Sequence, residues 1–383
     1  MKSWIYLLCL LVLFSCARVE VKKEKQPDSP QLGEKTEKPS VVKRPRLLEG
    51  ELILRFRISK VYKGVDLYEL RKKVDVDASR QPCLYVWCAQ PTDQYNQEIK
   101  SIRHSIPPAM TYRDETNGNR ISYWNLTNRL PESGKGTIEL RRRISLVRYE
   151  TNYEIDPDKI GEYDRASSLY RTYTRSEPSI ELTEEIRTKA SQIVGDETNP
   201  HLKAKKIYRW MLEHVSYHYP PEERGAGVVF KTRKGDCGEY AHLFCALCRS
   251  VGIPARFVSG LWIGDKFGFH AWAEYYLPGY GWTPADPSRS DSETGDYNWY
   301  YLGKSENTRL TVSRGSNLPI QNTPDWASYE NSDVQDGETP FMQFATVAAF
   351  GIDYEVDREF KSERNELVEE EGEWISFRPP PKE

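Results

Sequence analysis

The sequence predicts an α+β chain, with an N-terminal β-sandwich-like domain followed by a domain in which helices lead into an antiparallel aromatic hairpin. Three observations predict it. Before residue 155, apolar residues alternate with polar ones, as along half-buried strands. Between 182 and 251 they recur every three or four residues, the stripe of an amphipathic helix. From 269 to 286, two aromatic-rich runs flank Leu277-Pro278-Gly279-Tyr280, a turn signal. At 383 residues the chain has room for two such domains.

Met1-Lys2 and the apolar stretch Trp4 to Phe14 are too short to span a bilayer as a mature helix, and read as a secretory signal over 1–15. Leu13-Phe14-Ser15-Cys16 resembles a bacterial lipoprotein cleavage box, which implies Cys16 as the lipidated first residue; simple secretion and an uncleaved anchor are the alternatives. Ala17 replaces the aspartate that typically holds such proteins at the inner membrane, which points to the outer membrane, facing the periplasm. Residues 16–46 are rich in Lys, Glu and Pro, the composition of a disordered tether. Such a tether reaches on the order of 30 Å from a lipid surface.

The all-β domain is read as 47–155. Its strands are Glu51 to Ile58, 83–89, 120–127 and Thr137 to Arg148, with turn material at Asn117-Gly118-Asn119 and 131–136. Cys83 and Cys88 fall on one strand, roughly 16 Å apart at about 3.3 Å per residue, too far for a disulfide. Asp156-Pro157-Asp158 marks the boundary to a second domain, 156–315. Residues 316–383 form a C-terminal extension with an acidic tail, Glu369 to Glu373, and carry no legible role.

The second domain opens with helical patterns at 182–194 and 201–216, the latter with Ala204, Ile207, Tyr208, Met211 and Val215 on one face. A third helix begins at Cys237, where Ala241, Phe244, Cys245, Cys248 and Val251 form its buried stripe. Asp236 is a good N-cap, Glu239 stands three residues on as in a capping box, and Gly252 with Pro254 marks the stop. A thiol in a first turn faces unpaired N–H groups and the positive end of the helix dipole, which favour thiolate over the ordinary thiol of pKa about 8.5. Gly235 and Gly238 leave room for an approaching carbonyl, the Cys237 N–H can serve as one oxyanion donor, and Tyr217 is a candidate for the second. The alternative is that Cys237 is a small core residue. Cys245 and Cys248 lie mid-helix, where core packing is favoured over redox or metal chemistry.

Phe269 to Tyr276 and Gly281 to Asp286 read as a hairpin centred on Pro278, which sets His270 and Asp286 nearly opposite one another. Opposed side chains have Cβ atoms about 4.5–5.5 Å apart, so the carboxylate can take one imidazole nitrogen and leave the other for the thiol. His242, about 140° around the helix from Cys237, should point elsewhere. A hydrogen-bonded core histidine and a turn aspartate are the plain readings of His270 and Asp286 taken singly. Helix-start cysteine, strand histidine and hairpin aspartate together match a nucleophile, a base and an orienting carboxylate. Trp272 and Trp282 are candidate pocket walls, core aromatics being the alternative.

Arg233-Lys234-Gly235-Asp236-Cys237-Gly238-Glu239-Tyr240, Gly252-Ile253-Pro254-Ala255-Arg256, His270-Ala271-Trp272-Ala273-Glu274 and Gly281 to Ser288 arrive in the order found in the transglutaminase-like superfamily, which this chain resembles over roughly 180–315. The resemblance implies a papain/transglutaminase-like catalytic domain with Cys237 as nucleophile, His270 as general base and acid, and Asp286 as the orienting residue. It implies an acyl-thioester formed from a peptide or protein amide, passed to water or to an amine. No cofactor and no metal site is expected from the sequence. Water is the abundant acceptor, so hydrolysis in the cell envelope ranks above cross-linking; a non-catalytic binding module on the same scaffold is a third reading. A net charge of −3 points to no nucleic-acid partner. The expected membrane contact is the N-terminal lipid anchor.

Overall fold

Strand Arg46–Val61 buries Leu48, Leu52, Leu54, Phe56 and Ile58 along one side while Glu49, Glu51, Arg55 and Arg57 stay more open, and this alternation builds a sheet with one face to the core. In this computed structural model, which describes residues 45–73, 77, 79–263, 267–291, 299–323, 338–339 and 344–368, it is flanked antiparallel by Gly136–Arg148 and by Ile352–Leu367, and Gln97–His104 extends the sheet beyond Gly136–Arg148. The expected signal segment, the lipidated Cys16, all but the last two residues of the tether, and Glu369 to Glu373 lie outside the described residues.

A second antiparallel sheet runs in the order Thr346–Phe350, Cys83–Gln90, Arg120–Asn125, Met110–Arg113. Leu52, Phe56, Leu140 and Leu146 of the first sheet share one apolar cluster with Leu84, Val86, Trp87, Ile121 and Trp124 of the second, which makes the pair a sandwich. The two buried indoles are satisfied: Trp87 Nε1 donates to Gln321 O and Trp124 Nε1 to Ile106 O, each at 2.8 Å.

The all-β half is therefore not confined to 47–155. Each sheet takes a strand from the segment read as a C-terminal extension, Thr346–Phe350 in one and Ile352–Leu367 in the other. Ile352–Leu367 escapes recognition because it is an edge strand: only Ile352, Tyr354, Val356 and Phe360 lean on the core, and mostly charged residues fill the rest. Gln97–His104 and Met110–Arg113 are edge strands too, short or polar enough to read as connections.

The mixed half carries a third antiparallel sheet in the order Gly281–Ala285, Phe267–Leu277, Ala255–Ile263, Arg309–Arg314. Against it pack Glu184–Val194, Pro200–His214, Ala226–Thr232 and Cys237–Ser250. Helix Glu184–Val194 is capped by Thr183 and Pro200–His214 by Asn199, whose Oδ1 accepts from His201 N at 3.0 Å and Leu202 N at 3.2 Å. Cys237–Ser250 is the central helix, buried at every position from Gly238 to Arg249, and apolar residues on all its faces are what a core helix needs. It ends at Gly252, whose φ of 78° suits glycine, and the N–H of Ile253 returns to Cys248 O at 3.0 Å.

The two halves are stitched by a side chain imitating a strand. Gln97, on the β half, accepts from Thr311 N at 3.1 Å through Oε1 and donates from Nε2 to Thr311 O at 3.2 Å. It thereby satisfies both backbone groups of one residue in Arg309–Arg314.

Candidate active site

Cys237 occupies the first position of its helix. Asp236 caps that helix, Oδ1 accepting from Gly238 N at 2.8 Å and from Glu239 N at 3.4 Å. Glu239 does not close a reciprocal box. Its buried carboxylate receives Arg224 Nη1 at 3.0 Å and Gly225 N at 3.4 Å. Burial, then the neighbouring Glu239, pushes the Asp236 carboxyl up to about 6, against the opposing charge of Arg224. Gly235 proves to be a packing residue rather than an opening for substrate: a Cβ there would lie 2.5 Å from Glu239 Cβ.

His270 lies in Phe267–Leu277, facing Gly260 of the neighbouring strand. The hairpin is centred one residue later than the sequence suggests, since Leu277 pairs with Gly281, and its ladder ends at Ala273 with Ala285. His270 and Asp286 are therefore diagonal neighbours, a spacing of about 7–8 Å that side chains still bridge. They do bridge it, with His270 Nε2 2.6 Å from Asp286 Oδ2. Nε2 thus carries a proton toward the carboxylate and leaves Nδ1 for sulfur. The partly exposed Cys237 sulfur lies close enough to the same imidazole to favour its protonated form. Three side chains spread over 49 positions of sequence meet at one place, from the tip of a helix, a strand and the turn after another.

Asp286 is fixed on all sides. Its Oδ1 accepts from Ser288 Oγ at 2.8 Å and Arg289 N at 3.0 Å, its main-chain O from Tyr208 Oη at 2.9 Å, and its N donates to Tyr301 O at 3.0 Å. Burial opposes ionisation, but the charges of His270 and Arg309 and the Ser288 hydrogen bond hold the carboxyl well below its usual range. Burial likewise works against the imidazolium, yet the Asp286 carboxylate prevails, and the nearby Cys237 sulfur adds to it, bringing His270 to about 9.

The ring of His270 is walled by two indoles, Trp272 near-parallel at 6.0 Å and Trp262 edge-on at 5.8 Å. Trp272 is buried beside the site. Trp282 is not part of this wall: it carries the Arg256 guanidinium at 3.9 Å and meets Tyr173 and Tyr276 edge-on, the core-aromatic alternative. Tyr217 stands half-exposed beside Cys237, its phenol pushed up to about 12 by burial and then by the sulfur and Asp236 charges. His242 turns inward, stacked 4.5 Å from Phe257. Cys245 and Cys248 are buried, free thiols, the former pushed up to about 12 by burial.

Sequence reasoning missed Arg309 and Trp262. Arg309 lies in Arg309-Leu310-Thr311-Val312-Ser313, on the polar side of an alternating strand, where an arginine reads as solvated; here that side is covered as well. Trp262 looks like one more strand aromatic.

The family model of the transglutaminase-like superfamily matches residues 187–287, a span that includes Cys237, His270 and Asp286. This part of the chain belongs to the transglutaminase-like superfamily. Beyond the transglutaminase-like core, an uncharacterized protein of Haemophilus influenzae is 27% identical over 255 residues, 57% of this chain and 68% of that one. A protein-glutamine gamma-glutamyltransferase of Pseudomonas aeruginosa is 35% identical over 102 residues, which cover 23% of this chain but only 15% of that protein. Among solved structures, a proposed cysteine protease from Cytophaga hutchinsonii superposes with a TM-score of 0.51 at 15% identity, over 84% of this chain and 94% of that one, a likeness of fold.

Proposed function

We propose that the chain is a thiol-dependent acyl-transfer enzyme that hydrolyses peptide or amide bonds in the cell envelope through Cys237, His270 and Asp286. The observation that carries this reading is the 2.6 Å contact of His270 Nε2 with Asp286 Oδ2, with the partly exposed Cys237 sulfur near enough to the same ring to favour its protonated form. His270 already holds the proton drawn from the thiol, so sulfur attacks the carbonyl carbon as thiolate, and the carbonyl electrons move onto oxygen. Imidazolium then protonates the departing nitrogen, the C–N bond breaks, and an acyl-thioester remains. Water, deprotonated by the neutral ring, attacks that thioester; the C–S bond breaks and the acid leaves. The Cys237 N–H, at the helix start, is one donor to the oxyanion, and Tyr217 is the candidate for the second.

Transfer to an amine is the second reading, supported by the identity to the Pseudomonas glutamyltransferase across the core. The envelope setting rests on the apolar N-terminal stretch and Cys16, read as an outer-membrane lipid anchor. No described helix is long and apolar enough to cross a membrane. Incubating the protein with envelope peptides and cell-wall fragments, with and without a primary amine, and reading products by mass spectrometry separates the two. Free acid lost in Cys237→Ala supports hydrolysis; amide product with added amine supports transfer. Identical product profiles for wild type and Cys237→Ala would leave only a binding module.

A further inference from the structure

Asp286 Oδ2 serves two cations at once. Arg309 Nη1 donates to it at 2.6 Å, the same distance as His270 Nε2. Arg309 is 1% exposed, and a guanidinium so deep is tolerated only when paired. Its Nε donates to Glu306 Oε2 at 2.6 Å, and its Cζ lies 5.4 Å from the Trp262 and Trp272 rings and 5.2 Å from Tyr301. The indoles that wall the imidazole thus wall the guanidinium too. With the ring protonated, the cluster holds two cations, His270 and Arg309, and two carboxylates, Asp286 and Glu306.

We infer that Arg309 is a positioning residue of this site: by sharing Asp286 Oδ2 with His270 it draws part of the carboxylate's charge away from the imidazolium and sets the pH at which the ring gives up its proton. The inference rests on the triad proposed above. Oδ1 is already taken by Ser288 Oγ and Arg289 N, so Oδ2 is the oxygen left to the guanidinium, and Arg309 has to share it with the imidazole. Arg309 is also fixed from its far side by Glu306, whose side chain is 18% exposed, so its charge is placed rather than free to follow the ring. The other groups facing this pair are Cys237 from the central helix, Tyr208 from Pro200–His214, Tyr217 beside the thiol, and Ser288, Arg289 and Tyr301 around the aspartate. Among them Arg289 is a cation, held by Tyr301 Oη at 3.2 Å.

Iodoacetate tests this without a substrate. As an anion it reacts faster with a thiolate beside imidazolium, so its rate at Cys237, mapped by mass spectrometry and referred to neutral iodoacetamide, falls on the alkaline side where the ring deprotonates. Removing the positive charge in Arg309→Gln moves that limb up by on the order of one pH unit, and Arg309→Lys restores it. Removing the negative charge in Glu306→Gln moves it the other way, down by roughly a few tenths of a unit. A structural role alone predicts slower reaction with no limb moved. His270→Asn separates the two readings: loss of the limb in that variant upholds the triad, and a limb unchanged there overturns it. If His270→Asn loses the limb while Arg309→Gln and Glu306→Gln both follow the wild-type curve, the role of Arg309 is overturned and the triad stands. Should Arg309→Gln not fold, the downward shift in the partly exposed Glu306→Gln decides by itself.

Discussion

Gly260 faces His270 across the ladder, and the room left by its missing side chain is filled by Trp272: a Cβ there would lie 2.2 Å from Leu310 O and 2.8 Å from Trp272 Cη2. The backbone oxygen cannot yield as a side chain could. Gly260→Ala is therefore expected to lower stability by about 1–3 kcal/mol and to slow Cys237 alkylation by displacing the wall behind the imidazole. Thermal melts and alkylation rates check both; a variant matching wild type in each would show that the strand opens without disturbing the ring.

The five described thiols should differ sharply in reactivity. Cys237 is partly exposed, whereas Cys83, Cys88, Cys245 and Cys248 are buried. Brief treatment of folded protein with iodoacetamide is expected to modify Cys237 first, and the other four only in denaturant, as read by peptide mapping. Early modification of Cys245 or Cys248 would mean that the central helix opens readily.

His270 gains a carboxylate partner on folding, and its proton affinity rises from the ordinary 6.5 to about 9. A raised value means the folded state holds the proton more tightly, so this stabilisation is complete below about 6.5 and disappears as pH climbs through 9. Asp286, shifted down, contributes above its ordinary 3.8 and loses that contribution only in stronger acid. Urea denaturation should give a stability gap between wild type and His270→Gln on the order of 2–3 kcal/mol near pH 6, shrinking by pH 10. A gap that widens with pH would reverse the sign assigned to the pair.

Glu274 neutralises a buried cationic group. It accepts Arg256 Nη2 at 2.6 Å and lies 3.5 Å from Arg314 Nε. Glu274→Gln leaves the buried Arg256 guanidinium and the partly buried Arg314 without their carboxylate and is expected to cost about 3–5 kcal/mol, measured by denaturant unfolding.

Gln97 offers a test of how far the β half supports the site. Gln97→Leu would strand the N–H and C=O of Thr311, two residues from Arg309, at a cost of about 1–3 kcal/mol for each group left unsatisfied. If the support matters to the site, alkylation of Cys237 slows along with the loss in melting temperature; a lower melting temperature alone would confine the residue to fold stability.

Much of this was readable in the chain because the signals were local. Asp236 before Cys237 and Gly252 after it bracket a helix by backbone chemistry alone, and two aromatic runs around Pro278-Gly279 name a hairpin. The pairing register slipped by one residue at its centre, since loop chemistry constrains a turn's length only loosely, yet side chains reached across the diagonal. What stayed hidden was non-local. Arg309 acquires meaning only when its strand is placed next to Ala255–Ile263, and Ile352–Leu367 becomes a strand only when Arg46–Val61, which starts 306 residues earlier, is there to receive it. Alternation within a single segment carries no record of its partner.

That last pairing sets Arg46 beside Leu367, with the whole mixed half inserted between strands of one sandwich. During synthesis, the apolar inner face of Arg46–Val61 has its second neighbour only after Ile352–Leu367 has been made. A chain cut short before residue 344 would carry the complete cysteine, histidine and aspartate set on an unfinished scaffold, and quality control in the cell could tell it from the intact protein by the bare sheet edge.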